Sequence, residues 1–355
     1  MNPTLIGVDL AKHSFAVCEV NDTDRVLQRH EFKRQAFAAY LVQLPAGTQV
    51  AMEACGGAHY WARKCLEFGL VPRVMAAQFV RPFRKGKTAK NDRNDAEAIA
   101  TAARQGNMRF VPVKVVDQQA RLSWHRIRDG HKQAKLAIGN RIRGLLAEFG
   151  VIVAQGDAAM ARQLADLDAL TVPDDLKTLL HLEAREWARQ DDCLTTCTQH
   201  IQAHARQDYR CQRIRDILGV GAVTADAFVA TIGNGRDFKN GRQMAAWLGL
   251  VPKQATTGGR VKLGAITRDG NAYLRTLLVQ GARSSHKCAL ATDADKATPE
   301  QRWIQTLDQR TLYGKVLVAI ANKHARQIWA ILAHDVDYDP CAGMCHAIQP
   351  EATAA

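Results

Sequence analysis

The chain has 355 residues, 47% of them apolar, which is too long for one compact core and supports two or three domains. Its formal net charge of +13 at pH 7 creates a field that concentrates polyanions, so nucleic acid is the favoured partner class. No apolar run reaches the ~18 to 20 residues that a membrane helix requires, which excludes a helical membrane protein.

The first third alternates between short apolar runs and turns. Residues 4–11 (TLIGVDLA), 14–20 (SFAVCEV) and 25–32 (RVLQRHEF) read as three antiparallel strands, and 33–44 reads as a helix. Residues 48–54 (TQVAMEA) form a buried strand, HYWARKCLEFG a helix ended by Gly69, and 71–77 (VPRVMAA) a further strand. This β-β-β-α-β-α-β-α order is that of an RNase H-like sheet, with the first and fourth strands side by side at its centre.

From Asp117 to Gly150 the pattern turns helical. Ile138, Ile142, Leu145, Leu146 and Phe149 form one apolar stripe, and Arg121, Arg126, Arg128, Lys132, Lys135, Arg141 and Arg143 fill other positions. The stripe is expected to bury against a partner helix of another chain, as in a coiled coil. Residues 151–210 read as the returning helical arm, broken at TVPDD.

The last third opens near Cys211. ILGVGAVTADAFVATIG (217–233) has the form of a helix-hairpin-helix, in which Gly219 and Gly221 let backbone amides approach a phosphate. Residues 244–285 then pass from helix through a glycine-rich, hydroxyl-rich, basic loop and back to helix. The expected division is 1–112, 113–210 and 211–335, with a disordered tail over 336–355. The overall class is α/β plus α. Nine cysteines scattered through a chain with no leader segment read as reduced thiols of a cytoplasmic protein.

One stretch combines opposite demands. Six basic residues crowd Arg81 to Arg93, among them Lys85, Lys87, Lys90 and Arg93, and Asp92 and Asp95 share a face at a helix start. Asp9 ends one central strand, and Glu53 sits at the same end of its expected neighbour. If the helix packs over those strand ends, four carboxylates meet, and they cannot all ionise without a cation. Magnesium suits an all-oxygen set, and phosphodiester chemistry suits magnesium. The basic residues would draw in the phosphate backbone on which that site acts.

The motifs GVDLAK, AMEA, KNDRNDAEAIA, NRIRGLLAEFG and LGLVPKQATTGGRVKLGAITRDGNAYLRTLL, in this order, resemble the DEDD-type insertion-sequence transposases, a family of bridge-RNA-guided recombinases. The resemblance runs over nearly the whole chain. It implies a RuvC-like domain with Asp9, Glu53, Asp92 and Asp95 as the magnesium-binding tetrad. It also implies a homo-oligomer, dimer or tetramer, acting on element ends and target DNA with a noncoding guide RNA. That family joins a serine of the C-terminal glycine-rich loop to DNA; here the loop reads Ala255-Thr256-Thr257-Gly258-Gly259. Thr257 is the expected nucleophile and Thr256 the second candidate, with Arg260, Lys262, Arg268 and Arg275 holding phosphates. A RuvC-like structure-specific nuclease and a non-catalytic nucleic-acid-binding protein are the alternative readings.

Overall fold

The computed structural model describes residues 4–84 and 92–340; the side chains of Asp92 and Arg93 lie outside the description. Lys85, Lys87 and Lys90, and most of the expected tail, also fall outside it. The chain divides into two compact units, Met1–Val116 and Asp117–Ala355.

The first unit is a five-stranded sheet with helices. Its strands are β1 (Leu5–Leu10), β2 (Ser14–Val20), β3 (Val26–Lys33), β4 (Gln49–Glu53) and β5 (Val71–Met75), in the order β3-β2-β1-β4-β5. The meander β1-β2-β3 is antiparallel, whereas β1 pairs with β4 and β4 with β5 in parallel. The expected adjacency of the first and fourth strands is present. The parallel pairs need crossover connections, and α1 (Arg34–Gln43) and α2 (Ala58–Glu67) provide them.

Both faces of the sheet are covered. Phe37, Leu41, Trp61, Ala62 and Cys65 of α1 and α2 bury against Ile6, Val8, Phe15, Val50 and Met52. On the other side, α4 (Asp92–Ala103) packs Ala96, Ile99, Ala100 and Ala103 against Leu5, Cys18 and Ala51. Small residues let α4 come close. An ideal Cβ on Gly7 would lie 2.2 Å from the Ala96 carbonyl oxygen, so β1 must carry glycine there. Between β5 and α4 lie the short α3 (Ala77–Val80) and a 3-10 turn, Arg81–Phe83.

The second unit begins with two long helices, α5 (Val116–Ala147) and α7 (Asp174–Gln207), bridged by α6 (Asp157–Ala165). Their partners run in opposite order: Trp124 stacks on His200, Arg128 Nε donates to Thr198 Oγ1 at 2.9 Å, Lys135 Nζ donates to Asp191, and Arg141 pairs with Glu183. The hairpin is therefore antiparallel. Its distal half is apolar, with Ile138, Ile142 and Leu146 buried among Met160, Leu176, Leu180 and Trp187. This corrects the expected partner: the stripe is covered by the same chain, and Phe149 lies beyond α5 and is exposed. Each fully buried aliphatic side chain there contributes about 1.5–3 kcal/mol.

The rest of the unit is a helical core of α8 (Tyr209–Arg215), α9 (Ala222–Ile232), α10 (Gly241–Trp247), α11 (Ala272–Leu290), α12 (Pro299–Arg310) and α13 (Tyr313–His334). Phe228, Met244, Leu278, Ile320 and Ile328 lie at its centre. Residues read as a loop form a hairpin instead: β6 (Pro252–Thr257) pairs antiparallel with β7 (Arg260–Ile266). The turn is Gly258-Gly259, with φ of 56° and 77°, the left-handed pair that a two-residue hairpin turn requires. Among the described residues, no helix is long and apolar enough to cross a membrane.

Candidate active site

Parallel pairing of β1 with β4 sets Val8 against Met52, so Asp9 and Glu53 follow at the same ends of neighbouring strands. Asp9 and Glu53 are both half-buried. The thiol of Cys55 senses both: burial pushes its pKa up, and the negative charges of Asp9 and Glu53 push it further. Asp95 enters from above on α4 and is 6% exposed. Arg84, just after the 3-10 turn, joins it to the strand end. Its Nη2 donates to Glu53 Oε1 at 2.8 Å, and its Nε lies 3.2 Å from Asp95 Oδ1. Burial raises the Glu53 pKa above the ordinary carboxylate value; Arg84 opposes this and Asp95 adds to it.

Asp92 starts the same helix three residues before Asp95, and its side chain lies outside the described residues. Among the described residues, no three His, Cys, Asp or Glu side chains gather closely enough to hold a metal by themselves. The donor set nevertheless suits a hard cation, since Asp9, Glu53 and Asp95 offer only carboxylate oxygens. A guanidinium already contacts two of them, so the pair accepts positive charge between its members.

The second unit holds the hydroxyls. Cross-strand pairing sets Thr257 against Arg260 and Ala255 against Lys262, while Thr256 faces Val261 and Gln254 faces Leu263. Side chains alternate along a strand, so Thr257, Arg260 and Lys262 share one face of the ribbon. Thr256 lies on the other, where its Oγ1 accepts from Gln254 Nε2 at 2.9 Å. The ribbon is exposed along its length except at Ile266, which is half-buried. Among the described residues, neither Arg260 nor Lys262 has an acidic partner.

The remaining predicted residues divide by what they touch. Arg268 is exposed, and its left-handed backbone (φ 59°) is tied by its N–H to the Gly249 carbonyl. Arg275 Nη1 donates to the carbonyls of Leu248 and Asp269, bracing the turns on either side of the hairpin. Gly219 has φ 81°, and a Cβ there would lie 2.4 Å from the Gly281 carbonyl oxygen, so close packing on α11 requires it. Gly221 is the exposed N-cap of α9, with open space at its Cβ position.

One buried polar cluster was missed by the sequence reading. Asp226 of α9 is fully buried and accepts from the Arg121 guanidinium, while its Oδ2 lies 2.8 Å from His125 Nε2. His125 Nδ1 in turn lies 3.0 Å from Tyr273 Oη, and Arg121 Nη1 also donates to Asp208 at 2.9 Å. Burial alone would raise both Asp pKa values. Hydrogen bonds from His125 and Arg121 lower that of Asp226 instead, and those from Arg210 and Arg121 bring Asp208 to about 2. The available cue was one acid inside the apolar run AVTADAFVATIG.

A central parallel strand pair ending in carboxylates beneath a helix, in a basic chain, fits a nucleic-acid-processing enzyme. Two family models match. One, described as the transposase IS116/IS110/IS902 family, covers 211–296, and a DEDD transposase model of the IS110 type covers 6–150. The chain is 43% identical to a probable family 20 transposase of Pseudomonas aeruginosa, over 96% of this chain and 100% of that protein. It is 35% identical to the transposase for insertion sequence element IS1111A of Coxiella burnetii, over 94% of this chain and 91% of that one. A pilin gene-inverting protein of Moraxella lacunata is 21% identical over 96% of the chain. The chain belongs to the IS110/IS116/IS902 family of insertion-sequence transposases, and it is a DNA transposase.

Proposed function

We propose that this transposase cuts and rejoins DNA with Asp9, Glu53, Asp92 and Asp95 holding magnesium, and with Thr257 as the hydroxyl that attacks a DNA phosphate. The observation that carries the reading is the convergence of Asp9 and Glu53 at one sheet end, with Asp95 linked to Glu53 through Arg84. Magnesium, when bound, would offset charge that develops on phosphorus and order its oxygens. The chain's own part is to fix the carboxylates: β1 and β4 set Asp9 and Glu53 by register, and α4, seated on Gly7, carries Asp95.

Thr257 is preferred to Thr256 because it shares its ribbon face with Arg260 and Lys262, two cations suited to a scissile phosphate. Its β-branch crowds the attack relative to serine but leaves the hydroxyl chemistry intact. Lys85, Lys87, Lys90, Arg93 and Arg268 supply further backbone contacts. Gly221, at the start of α9, presents amides to a phosphate in the manner of a helix-hairpin-helix. Arg275 and Gly219 contribute by holding the neighbouring turns.

A noncoding RNA chooses donor and target DNA, and the protein acts as a dimer or tetramer. The functional division follows 1–112, 113–210 and 211–335. Excision of an element bearing its own flanking sequence tests the reading: Asp95→Asn should stop excision while DNA binding persists, and unchanged excision would refute the tetrad.

A further inference from the structure

We propose that Arg84 is a resident counter-cation that a divalent ion must displace from Glu53 and Asp95, so that metal affinity is held down in the resting protein. This rests on the reading of those carboxylates as metal ligands.

The guanidinium stands between two carboxylates from different elements, one at the end of β4 and one on α4. Both side chains are largely withdrawn from water, at 14% and 9% exposure, whereas that of Arg84 is 36% exposed. Two acids so placed repel each other unless positive charge lies between them. The planar fork of arginine meets that need with one N–H for each carboxylate. A divalent ion would seek the same oxygens, and both cations cannot take the same lone pairs.

The exposures favour departure of the arginine. Its root is held, because Phe83 packs against the core that α4 covers. Its head is the most exposed of the three side chains and can swing into water at little cost. Glu53 and Asp95 stay where the strand and helix put them. A purely structural ion pair would predict the opposite behaviour on removing Arg84: the carboxylates would separate and the site would bind cations less well.

The test is binding of Mn2+ alone to the full chain without nucleic acid, with free Mn2+ read by electron paramagnetic resonance at fixed pH. Arg84→Gln should lower the Mn2+ Kd by about tenfold or more, which corresponds to about 1.4 kcal/mol of competition removed. An equal or higher Kd in a variant that melts like wild type would overturn the proposal. Should that variant not fold, Arg84→Lys is the substitute. A point charge cannot fork to both oxygens, so tighter Mn2+ binding is again expected, and unchanged binding again refutes the idea. Glu53→Gln and Asp95→Asn separate the two layers of the argument. Both should weaken binding; if neither does, the metal-site reading fails whatever Arg84 does.

Discussion

His125 Nε2 lies 2.8 Å from Oδ2 of Asp226, at a point where both side chains are buried, 2% and 0% exposed. Arg121 completes the cluster, and α5 is thereby pinned to α9 through charges rather than apolar surface. Removing one member leaves the others buried and uncompensated. Arg121→Ala should destabilise the second unit by about 3–5 kcal/mol. Denaturant unfolding checks this, and a loss below about 1 kcal/mol would show that water already screens the cluster.

Asp208 makes the same region sensitive to acid. Its pKa is held at about 2, below the unfolded value near 3.9. A depressed carboxylate contributes stability that is present above the unfolded pKa and lost as pH falls through the folded one. The window is therefore about pH 4 to about pH 2, and the contribution is about 2 kcal/mol. Asp208→Asn should flatten the stability–pH curve across that window. A curve of unchanged slope would assign the acid sensitivity elsewhere.

These residues also show where sequence stops being informative. Alternating runs in 4–32 and the apolar strand at 48–54 were enough to place Asp9 beside Glu53, because register follows from a buried face. The hairpin at 252–266 escaped because β6 (PKQATT) has no apolar alternation, and the alternation of β7 (Arg260, Val261, Lys262, Leu263) faces no core. Its turn dipeptide, Gly258-Gly259, was the available sign. The stripe at Ile138, Ile142 and Leu146 was real, but periodicity cannot say whether the covering helix belongs to the same chain; here Leu176, Leu180 and Trp187 of α7 cover it. Arg121 and Asp226 are far apart in sequence, and no local pattern joins them.

Gly7 tests how α4 is seated. A methyl there would meet the Ala96 carbonyl oxygen at 2.2 Å and the Ala100 amide nitrogen at 2.7 Å, both backbone atoms that cannot step aside. Gly7→Ala should push α4 away, cost about 1–3 kcal/mol and lower excision, although no carboxylate has changed. Thermal melting and excision are measured together. Wild-type values for both would mean that the helix is not held by this contact.

The carboxylates themselves are tested one at a time. Asp9→Asn, Glu53→Gln and Asp95→Asn should each reduce DNA cleavage by at least about 10³-fold, equivalent to about 4 kcal/mol in the barrier. Nucleic-acid binding should remain near wild type, since its strength comes from Lys and Arg. Cleavage assays and a binding titration at matched salt distinguish the cases. A variant that binds poorly and cuts in proportion would mean that the residue supports the fold rather than the chemistry.

The hydroxyl ribbon gives the most exposed prediction. Thr257 and Arg260 are direct cross-strand partners beside a two-glycine turn, and Lys262 lies on the same face. A phosphate lying against that face would meet two cations and one hydroxyl, whereas one on the opposite face would meet the Thr256 hydroxyl beside Val261, Leu263 and Gln254, and neither cation. If Thr257 attacks, its oxygen bonds to phosphorus as one bridging P–O bond breaks and that oxygen leaves as a DNA hydroxyl carrying the threonine's proton, so one DNA end stays attached to the protein until rejoining reverses the step. Thr257→Ala should abolish the adduct. Thr257→Ser should keep it, with faster attack because the methyl group that crowds the oxygen is gone. Thr256→Ala should leave the adduct in place, since its Oγ1 faces away and accepts from Gln254. Adduct trapped during recombination is digested and the modified peptide sequenced by mass spectrometry. Modification at Thr256 would reverse the choice of face, and modification at Ser284 or Ser285, or recombination without any adduct, would remove the nucleophile from this ribbon altogether.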